Sequence, residues 1–206
     1  MMHEHLDIFF RSIFMENMIF AYFLGMCSFL AISKNVKTAF GLGVAVTFVL
    51  IIVVPLCYVL EHYVLRHGAL GWLSPVFEDV DISFLSFILF IAVLASVVQL
   101  LEMFVERYLP ALHHSLGIFL PLIAVNCAIM GACLFMQQKN FPNVGIATTY
   151  GLGSGIGWLL AIVGMAAIRE KLKYSDIPKP LKGLGIAFII TALMGIGFMS
   201  FSGIKI

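Results

Sequence analysis

Cys27 in FLGMCSFLAI and Cys127 in PLIAVNCAIM have the clearest chemical potential in this 206-residue chain. Each lies in a strongly apolar stretch beside residues that suit a broken or tightly packed helix. Gly25 precedes the first, Asn126 precedes the second, and Pro121 stands six residues upstream of Cys127. A thiol in such a setting ordinarily serves as a small apolar filler. Two of them in matching contexts, one per half of the chain, suggest a paired site. Thiolates at a pair of helix breaks suit a soft metal ion or an iron–sulfur cluster. The remaining cysteines, Cys57 and Cys133, read as packing residues. Cys57 follows Pro55 in an apolar run, and Cys133 lies six residues after Cys127, about 240° round a helix and so pointing away from it. No CxxC pair or secreted-type framework is present. His3, His5, His62, His67, His113 and His114 all fall at span ends or in loops, which argues against Rieske-type or haem ligation beside either cysteine.

Composition sets the surroundings of these thiols. The chain is 62% hydrophobic and 11% charged, with a mean hydropathy of +1.07, whereas a soluble domain carries about 25% charged residues. It therefore reads as an integral membrane protein in contact with the lipid bilayer. A net charge of +1 offers no basic surface for nucleic acid. No segment is long or polar enough for a separate soluble domain, so residues 1–206 read as a single membrane domain. The start, MMHEHLDIFF, lacks the basic region of a cleavable signal, and the first apolar run carries Arg11, Glu16 and Asn17, so that run is expected to stay in the mature protein.

A spanning helix needs roughly 20 mostly apolar residues, and six stretches qualify: approximately 9–32, 40–61, 82–104, 116–136, 146–168 and 183–204. All are expected to be helical, because lipid offers no partner for exposed backbone groups. Basic residues orient the set. Lys34, Lys37, Arg107, Arg169, Lys171, Lys173, Lys179 and Lys182 fall on one side, and Arg11, Arg66, Lys139 and Lys205 on the other. This excess places the REKLKYSDIPKP loop in the cytoplasm and both termini outside. The longest outer loop runs from Glu61 to Asp81 and contains Trp72, Glu78 and Asp79, with Trp72 expected at the membrane interface.

The two halves share an order: apolar helix, cysteine, polar linker, aromatic-Gly-Leu-Gly, apolar helix. Cys27 is followed by FGLGVAV, and Cys127 by YGLGSGIG. Three spans per half make the second copy enter from the opposite side. The expected fold is thus all-α, with six transmembrane helices in two inverted three-helix repeats, about 9–104 and 116–204, and discontinuous helices around the two cysteines. A pseudo-two-fold axis in the membrane plane would bring Cys27 and Cys127 face to face. Chance likeness among Gly-rich membrane helices is the plainer alternative. Two thiolates are half of the four that a 2Fe-2S or 4Fe-4S cluster takes, so the missing pair is expected from another polypeptide of similar build.

Other residues compete for a role. Ser96, Gln99, Glu102 and Glu106 recur at three- and four-residue steps and form one polar stripe. An ionisable residue in a span is a functional candidate by default, and Glu102 offers the oxygen ligand an ion path needs, unless it simply sits at the interface with Arg107 or solvent. Arg11, Glu16 and Asn17 form a polar group of structural character in the first span, in which Arg11 and Glu16, five apart, are poorly spaced to pair on a helix. GLGSGIG at 151–157 resembles a nucleotide fingerprint only superficially, since no strand precedes it. Small residues for close helix packing explain it better.

The stretches SIFMENM, FLGMCSFLAISKNVKTAFGLG, VQLLEM, LGIFLPLIAVNCAIMG, YGLGSGIGWLLAIV, IREKLKYSDIP and FMSFSG closely resemble a family of paired membrane subunits. The family comprises the D and E subunits of the sodium-translocating NADH:quinone oxidoreductase (Nqr) and the A and E subunits of the Rnf electron-transport complex. The likeness covers nearly the whole chain. FLGMCSFLAISKNVKT and REKLKYSDIP are more similar to the Nqr branch, while HGALGWLSPVFED is longer than the usual outer loop. The resemblance implies a six-helix protein that pairs with an inverted homologue, the Nqr D subunit, in a six-subunit complex. It implies a 2Fe-2S cluster between the two, for which Cys27 and Cys127 are the matching positions here. It also implies electron flow from NADH through FAD, a 2Fe-2S centre, the intramembrane cluster, covalent FMNs and riboflavin to ubiquinone, coupled to sodium export. The NADH and flavin sites would lie on other subunits, and this part of the translocase would not be active alone. Two alternatives stand beside it: the A subunit of Rnf, with ferredoxin as the electron partner, and a non-redox secondary transporter with an inverted repeat.

Overall fold

The computed structural model describes residues 2–65, 85–108, 123, 126–176 and 178–203, and among them every regular element is helical. In chain order these are α1 (Met2–Phe10), a π-helical turn (Arg11–Met15), α2 (Met26–Ile32), α3 (Val36–Leu60) with a π-helical extension (Glu61–Leu65), α4 (Ser86–Tyr108), α5 (Cys127–Lys139), α6 (Val144–Leu172) and α7 (Leu184–Met199). A short 3-10 turn (Lys179–Leu181) precedes α7, and another (Ser200–Gly203) follows it. Trp72, Glu78, Asp79, Asp81, His67, His113, His114 and Pro121 lie outside the described residues.

Among the described residues, three helices are long and apolar enough to cross a membrane: Val36–Leu65, Ser86–Tyr108 and Val144–Leu172. α7 is apolar but has 16 residues, short of the roughly 20 that a span needs. The first apolar stretch, expected as a span over 9–32, is not one helix. α1 gives way to the π-helical turn, residues 16–25 form successive turns, and only then does α2 begin.

The reason lies in Asn17 and in two residues of positive φ. The buried Asn17 side chain accepts from the Ile19 amide at 3.0 Å, and its Nδ2 donates to the carbonyls of Ile13 (3.0 Å) and Gly157 (2.8 Å). It therefore supplies locally the bonds that a continuous helix would have made. Phe23 (φ 57°) and Gly25 (φ 80°) then reverse the backbone's hand, which a right-handed helix cannot follow. The π-helical turn also corrects the expectation for Arg11 and Glu16. Its wider ring, closed by the Glu16 amide on the Arg11 carbonyl at 2.8 Å, brings positions five apart onto one side. Arg11 Nε accordingly donates to Glu16 Oε1 at 2.9 Å. Glu16 also pairs with Lys139 at the end of α5.

The core is the antiparallel pair α3 and α6, by far the most extensive helix contact. Both helices start directly after an extended asparagine, Asn35 and Asn143. Their crossing is built on glycine. A methyl group on Gly155 would meet Thr47 Cα at 2.8 Å, one on Gly151 would meet the Leu50 carbonyl at 2.9 Å, and one on Gly43 would meet Leu159 at 2.9 Å. The GLGSGIG run uses both its faces. Gly151 and Gly155 lie against α3, while Gly153 and Gly157 lie against Phe9, Ser12, Ile13 and Asn17 of the broken first segment. Small residues four apart admit this close approach, and two such sets interleave here. The motif is thus packing in the middle of α6, between two neighbours.

Gly155→Val would force a branched side chain into the Thr47 backbone, a clash of the kind that costs about 1–3 kcal/mol or more. The assembled protein should lose several degrees of Tm in detergent. Gly197→Ala, where nothing lies within 4 Å, should leave Tm unchanged or slightly raised, since alanine is the better helix former.

Candidate functional site

The two helix breaks lie side by side. Gly25 forms the first, immediately before α2, and its φ of 80° falls in the left-handed region that glycine alone adopts at little cost. Asn126 forms the second. Its extended backbone precedes α5, and its side-chain oxygen accepts from the Ala128 amide at 3.1 Å, a helix N-cap. The breaks are joined by a bond between the two halves of the chain, in which the Gly25 amide donates to Cys127 Sγ at 3.2 Å. The Cys27 and Cys127 side chains interact directly, and both residues are exposed at the surface of this chain. One hundred residues apart in sequence, they are neighbours in space.

The surroundings hold this junction in place. Ser28 Oγ and the Phe29 amide both donate to the Gly25 carbonyl, at 3.0 Å each. At the far end of α2, Arg169 of α6 donates to the Leu30 carbonyl (2.9 Å) and to Ser33 Oγ (2.7 Å), closing a helix terminus that would otherwise leave carbonyls unpaired. Beneath the junction stands Trp158 of α6, fully buried. A Cβ on Gly25 would lie 2.8 Å from Trp158 Nε1 and 2.9 Å from Asn126 Oδ1. The glycine is therefore required twice, by its φ and by the space around it.

The donor set can be read directly. Two exposed thiols side by side, with no disulfide among the described residues, make half of a four-sulfur ligand set. No group of three or more His, Cys, Asp or Glu side chains gathers among those residues. The two thiols suit part of a metal–sulfur ligand set, and no closed metal site forms among the described residues. Cys57 and Cys133 are separate from it. Both are buried in the core, and they touch each other across α3 and α5.

Glu102 stands elsewhere, on α4. That helix packs on α3 and α5 through the buried row Phe90, Leu94 and Val98. Glu102 is half-buried, while Ser96, Gln99 and Glu106 occupy the exposed side. Ser96 Oγ is turned back onto its own helix, donating to the Ala92 carbonyl at 2.8 Å. Sequence reasoning passed over Trp158, used Arg169 only to orient the chain, and gave Asn17 a structural role without locating its partners. Trp158 had a readable signal, because tryptophan prefers the membrane interface and this one is midway along a 29-residue apolar helix.

Gly25→Ala should destabilise the junction by about 1–3 kcal/mol from backbone strain alone, with more from the contact with Trp158. The assembled protein should show a lowered Tm, and the Ala variant of Gly197, with nothing within 4 Å, again provides the reference.

Comparison with known proteins identifies the family. Residues 5–205 match the family model described as "Rnf-Nqr subunit, membrane protein". The E subunit of the Na(+)-translocating NADH-quinone reductase of Proteus mirabilis (strain HI4320) is 57% identical over 205 residues, covering all of both chains. The E subunit of the same reductase from Idiomarina loihiensis is 55% identical over 205 residues and that from Rhodopirellula baltica 52% over 214, again with both chains fully covered. A family match over nearly the full length, together with relatives at this identity, shows that the chain belongs to the Rnf-Nqr family of membrane-protein subunits.

Proposed function

We propose that this chain is the electron-transferring E subunit of a sodium-translocating NADH:quinone reductase, and that Cys27 and Cys127 hold half of an intramembrane 2Fe-2S cluster. It is a subunit of an oxidoreductase complex, and its relatives at 52–57% identity carry that complex's name. The observation that carries the cluster assignment is the meeting of the two thiols at an exposed junction of two helix breaks. When bound, a 2Fe-2S group would supply a one-electron relay inside the bilayer. The chain's own part is to present two sulfurs at fixed spacing, to leave them open to the polypeptide that brings the other two, and to keep water away with the α3–α6 core. The inverted D subunit is the partner whose build matches. FAD, FMN, riboflavin and NADH belong to other members of a six-subunit complex in the bacterial inner membrane.

The six-crossing inverted repeat belongs to the same proposal. Each half carries a break, a cysteine in the first turn of a short helix, a linker, and a long helix that begins one residue after an asparagine. The long helices run antiparallel. The residues in contact at their crossing, Thr47 and Gly155, each lie eleven positions after their helix's first residue. An in-plane two-fold axis through that contact would exchange the two halves and place both cysteines near the midplane, with both termini periplasmic. The A subunit of Rnf would use the same site with ferredoxin as the electron partner, and the substrate oxidised by the purified complex separates the two. A secondary transporter would need no iron.

Purified complex carrying Cys27→Ala or Cys127→Ala should lose about two irons and one cluster signal in low-temperature EPR, with the other subunits retained on a gel. Quinone reduction should be abolished, while NADH oxidation by a soluble acceptor at the flavin persists. Unchanged iron and spectrum would make both thiols packing residues and favour the transporter. Glu102 is proposed to line the sodium path, on the strength of a half-buried carboxylate on a helix with an outward polar side. Glu102→Gln should raise the sodium concentration for half-stimulation of turnover by about tenfold, the effect of losing roughly 1.4 kcal/mol of ion binding. An unchanged sodium dependence removes Glu102 from the path.

A further inference from the structure

Buried polar atoms are ordinarily hydrogen-bonded, and each exception calls for a reason. Among the described residues, four side-chain atoms that are out of solvent have no partner: Asn126 Nδ2, Tyr150 OH, Ser154 Oγ and Trp158 Nε1. Tyr150, Ser154 and Trp158 recur every four residues on the buried face of α6. The Tyr150 and Ser154 hydroxyls can accept as well as donate, so neither calls for an acceptor in particular. Two N–H donors are then left, on Trp158 and Asn126. Neither group can act as its own acceptor, because an indole nitrogen and an amide nitrogen only donate.

Both donors are at the cysteine junction. Trp158 Nε1 and the Asn126 side chain flank the α-carbon of Gly25, each under 3 Å from the position of an added Cβ. The amide of that same Gly25 already donates to Cys127 Sγ at 3.2 Å. Asn126 is also the residue directly before Cys127, with its Oδ1 committed to capping α5. The Gly25 amide reaches a sulfur directly, and the two unpartnered donors belong to buried side chains packed against that same glycine, while the thiols are open on the other side. Leaving two buried donors without an acceptor costs about 1–3 kcal/mol each. Phenylalanine at 158 and serine at 126 would avoid that cost, so the donors imply an acceptor that belongs at the junction.

Resting on the reading of Cys27 and Cys127 as half of a 2Fe-2S site, we infer that Trp158 and Asn126 are positioning residues whose N–H groups, with the Gly25 amide, donate to the sulfur atoms held there and raise the reduction potential of the bound group. Reduction adds one electron, and hence one negative charge, to the group. No proton moves and no bond in the protein breaks, and the electron comes from NADH through the complex or from dithionite in a titration. Donors aimed at sulfur stabilise the more negative reduced form over the oxidised one.

The experiment is an EPR-monitored redox titration of the purified complex, comparing wild type with Trp158→Phe and Asn126→Ser. Serine keeps the N-cap acceptor for α5 while removing the Nδ2 donor. Each variant is expected to keep its iron and subunits and to favour the oxidised form about tenfold more, a downward shift of about 59 mV for a one-electron couple. An unmoved midpoint in an iron-replete variant overturns the inference. If Trp158→Phe fails to assemble, Asn126→Ser decides by the same measurement. A cluster signal that survives Cys27→Ala overturns the underlying reading instead, so the two failures are distinguishable.

Discussion

Lipid cannot hydrogen-bond to a peptide group, so a helix broken inside a membrane must find replacement partners within the protein. The architecture of this chain follows from meeting that requirement twice. At the first break Asn17 takes over three backbone bonds, and the Gly25 amide finds a sulfur for an acceptor. At the second, the Asn126 side chain caps α5. Because the Gly25 bond runs from one half of the chain to the other, the two breaks are not independent. Each supplies something the other lacks, a donor on one side and a thiol on the other, and this reciprocity brings the cysteines together.

The glycine pattern of α6 follows from the same demand. A broken segment has no long apolar face with which to pack, so it must press directly against the backbone of a neighbour. Gly153 and Gly157 permit this, and the Gly157 carbonyl is the acceptor for Asn17. On its opposite face α6 must also receive α3, and Gly151 and Gly155 allow that approach. The fully buried Trp158, on the same helix, is the floor of the cysteine junction. Arg169 reaches from the same helix to close α2 from its far end. A single rigid helix therefore determines where both ends of α2 lie, and with them the Cys27 thiol.

Much of this was legible from composition and pattern. The all-helical membrane class followed from hydropathy, and the pairing of Cys27 with Cys127 followed from matched contexts in the two halves. The glycine run was readable as packing, although its division between two faces was not, since that depends on which neighbours arrive. The first span was misread as continuous because hydropathy averages over 20 residues and does not register the reversal of hand at Phe23 and Gly25. The Arg11–Glu16 pair was missed for a related reason. Helix spacing rules assume 3.6 residues per turn, and a π-helical turn changes the spacing at which side chains meet. Trp158 stood out by its place midway along an apolar helix, but what it lies beneath depends on which distant segments arrive, and that is not local information.

Exposure separates the surfaces this chain must cover from those it can leave to lipid. α7 presents Leu184, Ile189, Leu193, Ile196 and Met199 outward, an apolar face that hydrocarbon satisfies. α4 presents Ile88, Leu100 and Phe104 together with Ser96, Gln99 and Glu106, and polar groups on an outward membrane face call for protein or water rather than lipid. The junction goes further. Two thiols placed side by side and left open have little to gain from hydrocarbon, and ionising them there would be costly without a metal or a cationic neighbour. A chain that held its sulfurs only for packing would turn them inward, as it does with Cys57 and Cys133. Cys27 and Cys127 are instead exposed, on helix ends held by the Gly25, Asn126 and Arg169 hydrogen bonds. That combination of rigidity behind and openness in front is what a ligand set shared between two polypeptides requires, because each must hold its half in position before the other arrives.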